Sequence, residues 1–549
     1  MKNIFQISVV VVLLNSVSGY SQDIKNFYSV RDSISGSVIN KHLQILAHDS
    51  LEGRGVGSKG IAKAAEYISQ QYSKFGLERA PSLNNYYQNI PMHGSMPLPK
   101  SELILIKDTD TTFLKYSEDY FLYRSGQQTF IPVPLDLVFV GYGIVAPEYD
   151  HNDYQSVDVI GKIVVFIDGE PESDDMEYFK GTIPTIYSYP ESKRRIAISR
   201  GAAGTIQINL NSNIDWETIK KEFSSEDVTL AYSVSGNLSV LLNTGIAEKL
   251  FEYSDYTLND IMLMHQQNSI RSFYLNSKIK FKGVFRERDF ISQNVIGYVK
   301  GSDPELQQTY LLVSAHYDHL GIGLPVDGDS IYNGALDNAI GVSVMLELAS
   351  AFAQLAVKPK RSVIFIATTG EEKGLLGSSY YVDHPVFPLH KTITNINIDG
   401  IAMFRDFTGL VSVGTEYSTL DHFIKQTADR YDLVMEEIPP QFRSFDAFNK
   451  SDQLAFASGG IPSVLVLEGL SNRTKNDEEV LEAFINYYLE KYHTPFDDLN
   501  QIIDTDAAAR HAKILFDLCF HLADQKYVPE WKSGSPFINA RLRTIAQKR

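Results

Sequence analysis

Residues 362–378 read SVIFIATTGEEKGLLGS, and this stretch joins an apolar run to a pair of acidic residues. The run SVIFIATT predicts a buried strand that leads directly into two adjacent carboxylates, Glu371 and Glu372. Two neighbouring carboxylates at the end of a buried strand repel each other and lose hydration. Either they lie in water on a loop, or a positive charge binds them.

Strand–helix alternation surrounds this stretch from about residue 290 onward. Buried-type strands are predicted at TYLLVSAH (309–316), RSVIFIATT (361–369), KTITNINID (391–399) and IPSVLVLE (461–468), and a helix at AIGVSVMLELASAFAQLA (339–356). Near-continuous apolar strands between helices are typical of a sheet that is covered on both faces. We therefore expect an α/β/α sandwich with a mixed, mostly parallel central sheet.

The chain of 549 residues is too long for one ordinary domain. Residues 130–285 contain short β-type runs such as GKIVVFIDG and SKIKFKGVF, separated by glycines and polar turns. We expect this β-rich module to be inserted into a discontinuous α/β domain. The expected α/β domain consists of residues 22–129 and 286–525, and a basic tail of residues 526–549 follows it.

The N-terminal sequence MKNIFQISVVVVLLNSVSGYSQ is similar to a secretory signal peptide. Lys2 supplies a positive charge, residues 7–14 are apolar, and small residues follow. We expect residues 1–19 to be removed and the protein to be exported to the periplasm or the extracellular space. Elsewhere no apolar run approaches the roughly 20 residues that span a bilayer, so no membrane span is expected.

Composition excludes some classes of protein and leaves others open. A net charge of -17 argues against a nucleic-acid binder, which needs a basic surface. The single cysteine, Cys519, lies on the apolar stripe of a predicted helix, so no intrachain disulfide can form. The sequence does not indicate the oligomeric state.

Several side chains capable of binding metal follow the predicted strands or helices. They are His316, Asp318, Asp337, Glu371, Glu372, Asp399 and His493. Because ligand sites in open α/β sheets form at the carboxyl ends of the strands, we expect most of these side chains to lie together. Imidazole and carboxylate favour zinc, with cobalt and manganese as alternatives. One ion would leave too many carboxylates unneutralised, whereas two ions sharing a bridging carboxylate would balance them.

The adjacent glutamates are expected to have different roles. Successive residues in an extended segment point in opposite directions. We therefore predict that Glu372 ligates a metal, while Glu371 turns toward the attacking water and serves as the general base.

Five ordered motifs resemble those of the M28 family of zinc peptidases. They are SAHYDHLG (314–321), NGALDNAIGV (333–342), ATTGEEKGLLGS (367–378), NIDGIAM (397–403) and YHTPFDD (492–498). The resemblance extends to LEGRGVGSKG (51–60) and SDQLAFASGGIPS (451–463), and it spans most of residues 40–525.

The resemblance implies a role for each matching residue. His316 and Asp399 would bind one zinc, Glu372 and His493 the other, Asp337 would bridge both, Glu371 would be the base, and Asp318 would orient His316. It also implies a cis peptide bond between Asp337 and Asn338. The implied activity is that of a dinuclear zinc exopeptidase acting on peptides, expected to be an aminopeptidase that releases N-terminal residues. A carboxypeptidase, a glutaminyl cyclase-like transferase with one catalytic zinc, and a non-catalytic binding protein are the alternatives.

Further features of the resemblance concern residues outside the metal ligands. The β-rich module resembles a PA (protease-associated) domain, which caps the active site or influences substrate entry in such peptidases. Gln453 stands where the family more often has histidine, so substrate specificity could differ if this residue touches the substrate. We expect a structural role for His319. Arg54 is expected to form an ion pair or to cap the turn, with contact to the substrate as the alternative.

Overall fold

The computed structural model describes residues 25–107, 110–122, 130–181, 184–210, 215–223, 225–234, 236–401 and 403–546. The predicted signal peptide lies outside these residues. The chain forms two compact units. The discontinuous unit contains the residues up to Ile90 and those from Ile291 onward, and the inserted unit is Pro91–Phe290.

The helices and strands are numbered along the whole chain. The helices are α1 (25–33), α2 (Gly36–Leu46), α3 (Lys59–Phe75), α4 (Pro190–Ser199), α5 (Trp216–Glu222), α6 (Thr244–Phe251), α7 (Leu258–Gln266), α8 (Ile340–Gln354), α9 (Leu376–Asp383), α10 (Leu420–Arg430), α11 (Gln453–Ser458), α12 (Asp477–Glu490), α13 (Thr505–Asp524) and α14 (Ile538–Ala546). The strands up to the end of the inserted unit are β1 (Glu78–Arg79), β2 (Tyr87–Pro97), β3 (Glu102–Lys107), β4 (Asp110–Leu114), β5 (Tyr120–Leu122), β6 (Phe130–Phe139), β7 (Val145–Ala146), β8 (His151–Asn152), β9 (Ile163–Ile167), β10 (Gly204–Ile208), β11 (Asp227–Leu230), β12 (Leu238–Leu242) and β13 (Phe273–Lys282). The later strands are β14 (Phe285–Val299), β15 (Tyr310–His316), β16 (Gly321–Val326), β17 (Asp329–Tyr332), β18 (Ser362–Thr368), β19 (Thr392–Asn397), β20 (Gly409–Val413), β21 (Val434–Glu436) and β22 (Ser463–Glu468).

The sheet of the discontinuous unit has a parallel centre and antiparallel flanks. Its order is β14-β18-β15-β19-β22-β20-β21. Strands β18, β15, β19 and β22 are parallel. Strand β14 runs antiparallel to β18, and β20 runs antiparallel to β22 but parallel to β21. His316 pairs with Thr368 in register, so β15 and β18 end at the same level. The predicted mixed sheet is confirmed.

Residues along each strand point alternately to the two faces of this sheet, and helices pack against both faces. On one face, Ile364 and Ile366 of β18 belong to a core cluster with Tyr381 of α9. On the other, the ring of Phe365 lies 5.9 Å from that of Phe352 in α8. The α/β/α layering predicted from the apolar strands is therefore present.

Helix α8 extends from a kinked turn, Ala335–Ala339, that carries the only non-proline cis peptide bond in the part of the chain that the structure describes. This bond joins Asp337 and Asn338, as the resemblance implies. Contrary to the expectation that no such run occurs after the N-terminus, the segment Ala335–Gln354 is long and apolar enough to cross a membrane, but 89% of its apolar window is buried inside the protein. That degree of burial is typical of a core helix.

The inserted unit is built on a separate sheet. Its order is β4-β3-β13-β6-β9-β10-β12-β5. Strands β9, β10 and β12 are parallel and buried along their length. The predicted insert of residues 130–285 lies within this unit, and residues 91–129 cluster with it because β3 pairs with β13.

The C-terminal tail packs on the discontinuous unit. The indole nitrogen of Trp531 donates a hydrogen bond to the carbonyl oxygen of Gly460 at 3.1 Å. The rings of Phe537 and Phe448 are 5.8 Å apart. Helix α14 follows these contacts, so the basic tail is a docked part of the structure.

Candidate metal centre

The parallel centre of the sheet brings the predicted residues together. His316 ends β15, the two glutamates follow β18, and Asp399 follows β19. These strands are neighbours, so their carboxyl ends meet at one edge. Asp337 approaches from the turn before α8, and His493 from the segment after α12.

Two histidines and three carboxylates form paired groups around Asp337. The Nε2 atom of His316 lies 3.2 Å from one oxygen of Asp337 and 3.2 Å from an oxygen of Asp399. The Nε2 atom of His493 lies 3.3 Å from the other oxygen of Asp337 and 3.2 Å from an oxygen of Glu372. The two oxygens of Asp337 therefore face two separate histidine–carboxylate pairs.

The donor set fits divalent cations. The Nε2 atom of His493 is buried and makes no hydrogen bond within the described structure, although two carboxylate oxygens lie within 3.3 Å of it. An imidazole lone pair aimed between carboxylate oxygens in this way is suited to a metal ion. A set of nitrogen and oxygen donors at this spacing fits zinc.

The electrostatics of the pairs likewise require positive charge. Burial alone would lower the pKa of His316, yet Asp399 and Glu371 raise it well above its usual value. Burial opposes protonation of His493 in the same way, but Glu372 and Asp337 raise its pKa to about 10. Without a metal ion, protons on these imidazoles would offset the carboxylate charge.

The adjacent glutamates occupy different surroundings. One oxygen of Glu372 lies 2.7 Å from Nδ1 of the fully buried His319, and its other oxygen faces His493. Glu371 is also buried, and burial, together with Asp399 and Glu372, raises the pKa of its carboxyl well above the usual value. Glu372 thus lies between two histidines, whereas the surroundings of Glu371 favour its protonated form.

The carboxylate of Asp318 lies closer to the glutamate turn than to His316. Its carboxylate accepts main-chain N–H bonds from Glu371 at 3.2 Å and Glu372 at 3.4 Å. Nδ1 of His316 lies 3.2 Å from the main-chain oxygen of Asp318 and 3.9 Å from its carboxylate. The aspartate therefore joins the end of β15 to the turn after β18.

Asp497 also lies at the site, although its sequence context alone predicts no role for it. Its carboxylate accepts the main-chain N–H groups of Leu336 at 2.9 Å and Asp337 at 3.0 Å, and the hydroxyl of Tyr487 donates to it at 3.2 Å. Its presence in the motif YHTPFDD was the available signal. The spacing alone could not show that it holds a turn 160 residues earlier in the chain.

Gln453 has a structural position. The side chain is fully buried, and its oxygen accepts a hydrogen bond from Asn397 at 2.8 Å. Its nitrogen donates to the carbonyl oxygens of Ala447 at 2.6 Å and Phe448 at 3.0 Å. The amide is thus fully engaged inside the protein, where Gln453 contributes hydrogen bonds to the core.

The chain is an α/β protein with a cluster of histidines and carboxylates, suited to binding metal ions, at the carboxyl edge of its sheet. Residues 294–519 match the model of peptidase family M28, so this segment is an M28 peptidase domain.

Two of the relatives that the chain matches are named as aminopeptidases. Aminopeptidase YwaD of Bacillus subtilis is 30% identical over 212 residues, which cover 38% of this chain and 40% of that protein. A probable leucine aminopeptidase 2 of Aspergillus oryzae is 31% identical over 271 residues, covering 47% and 50%. The chain therefore spans two fifths to one half of the length of these two relatives.

A solved structure shows the same fold over most of the chain. The aminopeptidase from Aneurinibacillus sp. strain AM-1 superposes with a TM-score of 0.54 at 18% sequence identity. The match covers 90% of this chain and 96% of that one.

Proposed function

We propose that this protein is an exported dinuclear zinc aminopeptidase. The observation that carries the proposal is the position of Asp337, whose two oxygens lie between two histidine–carboxylate pairs. His316 and Asp399 would hold one zinc ion, His493 and Glu372 the other, and Asp337 both. The names of the relatives from Bacillus and Aspergillus support attack at the N-terminal end of a peptide.

The chemistry is divided between the metals and Glu371. Zinc bound by these residues would supply positive charge that polarises a peptide carbonyl and lowers the pKa of water. Glu371 takes a proton from the attacking water and delivers it to the amine nitrogen as the carbon–nitrogen bond breaks. Its raised pKa suits a group that must accept and then release a proton near neutral pH.

Export and control of substrate entry are further parts of the proposal. Export rests on the signal-like sequence of residues 1–19. Residues 130–285, which resemble a PA domain, are proposed to influence which peptides reach the metal centre.

Replacing Glu371 by glutamine tests the role of the general base. The variant E371Q is expected to lose at least 1,000-fold in kcat on aminoacyl chromogenic substrates, because the amide cannot carry the proton. Its zinc content should remain that of the wild type. The control E482Q changes an exposed glutamate on α12 and should leave both quantities unaltered. Wild-type turnover by E371Q would refute the assignment of the base.

Digestion of a peptide library, with and without a chelator, tests direction and metal dependence together. We expect mass spectrometry to show stepwise loss of N-terminal residues that ceases when the chelator is added. Loss of C-terminal residues would instead identify a carboxypeptidase. Metal analysis accompanies the digest. A fully active sample that contains about one zinc per chain would favour the glutaminyl cyclase-like alternative.

A further inference from the structure

A buried arginine lies close to the candidate metal centre. Arg54 ends the turn Asp49–Arg54, and only 1% of its surface is exposed. Its Nε donates to the carbonyl oxygen of Tyr317 at 2.8 Å, and its second terminal nitrogen donates to that of Gly334 at 2.9 Å. Its first terminal nitrogen donates to the carbonyl oxygens of Leu46 at 2.6 Å and Asn333 at 2.5 Å.

The carbonyls that Arg54 contacts belong to the segments that carry the proposed metal ligands. Tyr317 follows His316 directly, and Gly334 lies three residues before Asp337. One rigid, planar guanidinium therefore joins the end of β15 to the turn before α8. A lysine could not form this set of bonds, because its ammonium group is a single point donor on a flexible chain.

The turn that carries Arg54 is pressed closely against the same region. The main-chain N–H of His319 donates to the carbonyl oxygen of Arg54 at 3.3 Å. Gly53 has a φ of 62°, and a Cβ atom at this position would lie 2.3 Å from the carbonyl oxygen of Tyr332. This close approach leaves no space for a residue larger than glycine at position 53. The contact of Gly53 and the hydrogen bond from His319 together fix the main chain at Arg54.

Arg54 also places a permanent positive charge near the carboxylates. Burial lowers its pKa to about 10, while Asp318, Asp497 and Asp337 oppose that change. A group with this pKa remains protonated at neutral pH. Since its described hydrogen bonds go to neutral carbonyl oxygens, the charge is available to offset the acidic cluster.

We propose that Arg54 is a positioning residue of the metal centre, which holds the backbone of His316 and Asp337 at the separation that metal binding requires and partly neutralises the ligand carboxylates. The inference rests on the proposed zinc centre but is independent of the reaction catalysed there. It predicts an effect on zinc affinity as well as on activity.

Zinc affinity in arginine variants tests this proposal. R54K keeps the charge but loses the fork of donors, and R54Q loses both. The matched control is Arg361, which is 2% exposed, precedes β18 at the end opposite the centre, and donates to Thr309 and to the carbonyl oxygen of Lys526. R361K and R361Q therefore report the general cost of losing a buried arginine.

The measurements are the zinc dissociation constant by competition with a chelator, the visible absorption spectrum of the cobalt-loaded protein, and the melting temperature of the metal-free protein. We expect zinc to bind about 10-fold more weakly to R54K and about 100-fold more weakly to R54Q, with altered cobalt bands. The Arg361 variants should lose stability but bind zinc within about twofold of the wild type.

The outcomes separate this inference from the proposed function. Zinc affinity in R54K equal to that in R361K would overturn the inference, and R54K decides alone if R54Q is insoluble. A wild-type protein that binds zinc but hydrolyses no peptide would refute the proposed function, while weakened binding in R54K would still support the role of Arg54. A wild-type protein that binds no zinc would refute both.

Discussion

At the residue scale, chemically identical side chains acquire different roles from their surroundings. Glu371 is buried and the adjacent Glu372 is half-buried, yet only Glu372 contacts the histidines His319 and His493. The imidazoles lower the pKa of Glu372, although burial alone would raise it. Burial raises the pKa of Glu371. The same pair of carboxylates thus supplies both a proposed ligand and a proposed proton carrier.

The shared position of Asp337 predicts an unequal response to ligand replacement. D337N should reduce bound zinc from two ions per chain to less than one, because each proposed site loses a charged oxygen. D399N should leave the site of His493 and Glu372 occupied and retain about one ion. Elemental analysis of dialysed protein measures both values. Equal zinc content in the two variants would contradict a bridging role.

His316, Glu372 and Asp399 could be predicted from the sequence because they lie at or just after the ends of apolar strands. The contacts that support the proposed ligands could not be predicted in this way. The distances around His316 and His493 agree with the grouping that the family resemblance implies. The contacts of Arg54 with residues more than 260 positions away depend on how separate loops meet. No local pattern of residues encodes such contacts.

At the element scale, the centre depends on loops that are anchored by buried carboxylates. Asp497 holds the turn before α8, and Asp318 holds the turn after β18. Both carboxylates accept main-chain N–H groups, which fixes the backbone rather than the ligand side chain. Accurate placement of a metal site requires such support.

Removing the carboxylate of Asp497 tests this support. D497A should weaken zinc binding by 10- to 100-fold and destabilise the metal-free protein by about 1–3 kcal/mol, because two buried N–H groups lose their acceptor. Chelator competition and thermal unfolding measure the two effects. The neighbouring exposed residue Asn500 supplies a control in N500A, which should change neither quantity substantially. Unaltered zinc affinity in D497A would show that the turn needs no anchor.

A second buried carboxylate, Glu468 at the end of β22, predicts a pH dependence of stability. It accepts the main-chain N–H groups of Met403 and Phe404, and burial raises its pKa to about 8. A raised folded-state pKa means that the folded protein binds the proton more tightly than the unfolded chain does. The resulting stability is present below the unfolded pKa of about 4.5 and is lost as the pH rises through 8.

Substitution by glutamine removes this titration. The stability of E468Q relative to the wild type should therefore increase by about 1–3 kcal/mol between pH 5 and pH 9. Chemical unfolding of the metal-free proteins at several pH values measures the difference. A difference that is constant with pH would contradict the assignment of a raised pKa to Glu468.

At the scale of the whole molecule, the sequence predicts the α/β core better than the surrounding parts. Apolar strands such as β15 and β18 are recognisable because burial on both faces requires continuous apolar residues. The sequence does not predict that the C-terminal tail docks, because Trp531 and Phe537 are isolated aromatic residues in a basic segment. Their partners come from distant parts of the discontinuous unit, so docking could not be predicted from periodicity.

A crystal structure of the zinc-loaded protein, with anomalous diffraction measured at the zinc edge, would show directly whether Asp337 bridges two metal ions. Two anomalous peaks are predicted, one between His316 and Asp399 and one between His493 and Glu372, with Asp337 contacting both. A single peak, or side chains that face solvent with no ion between the histidines, would contradict the account.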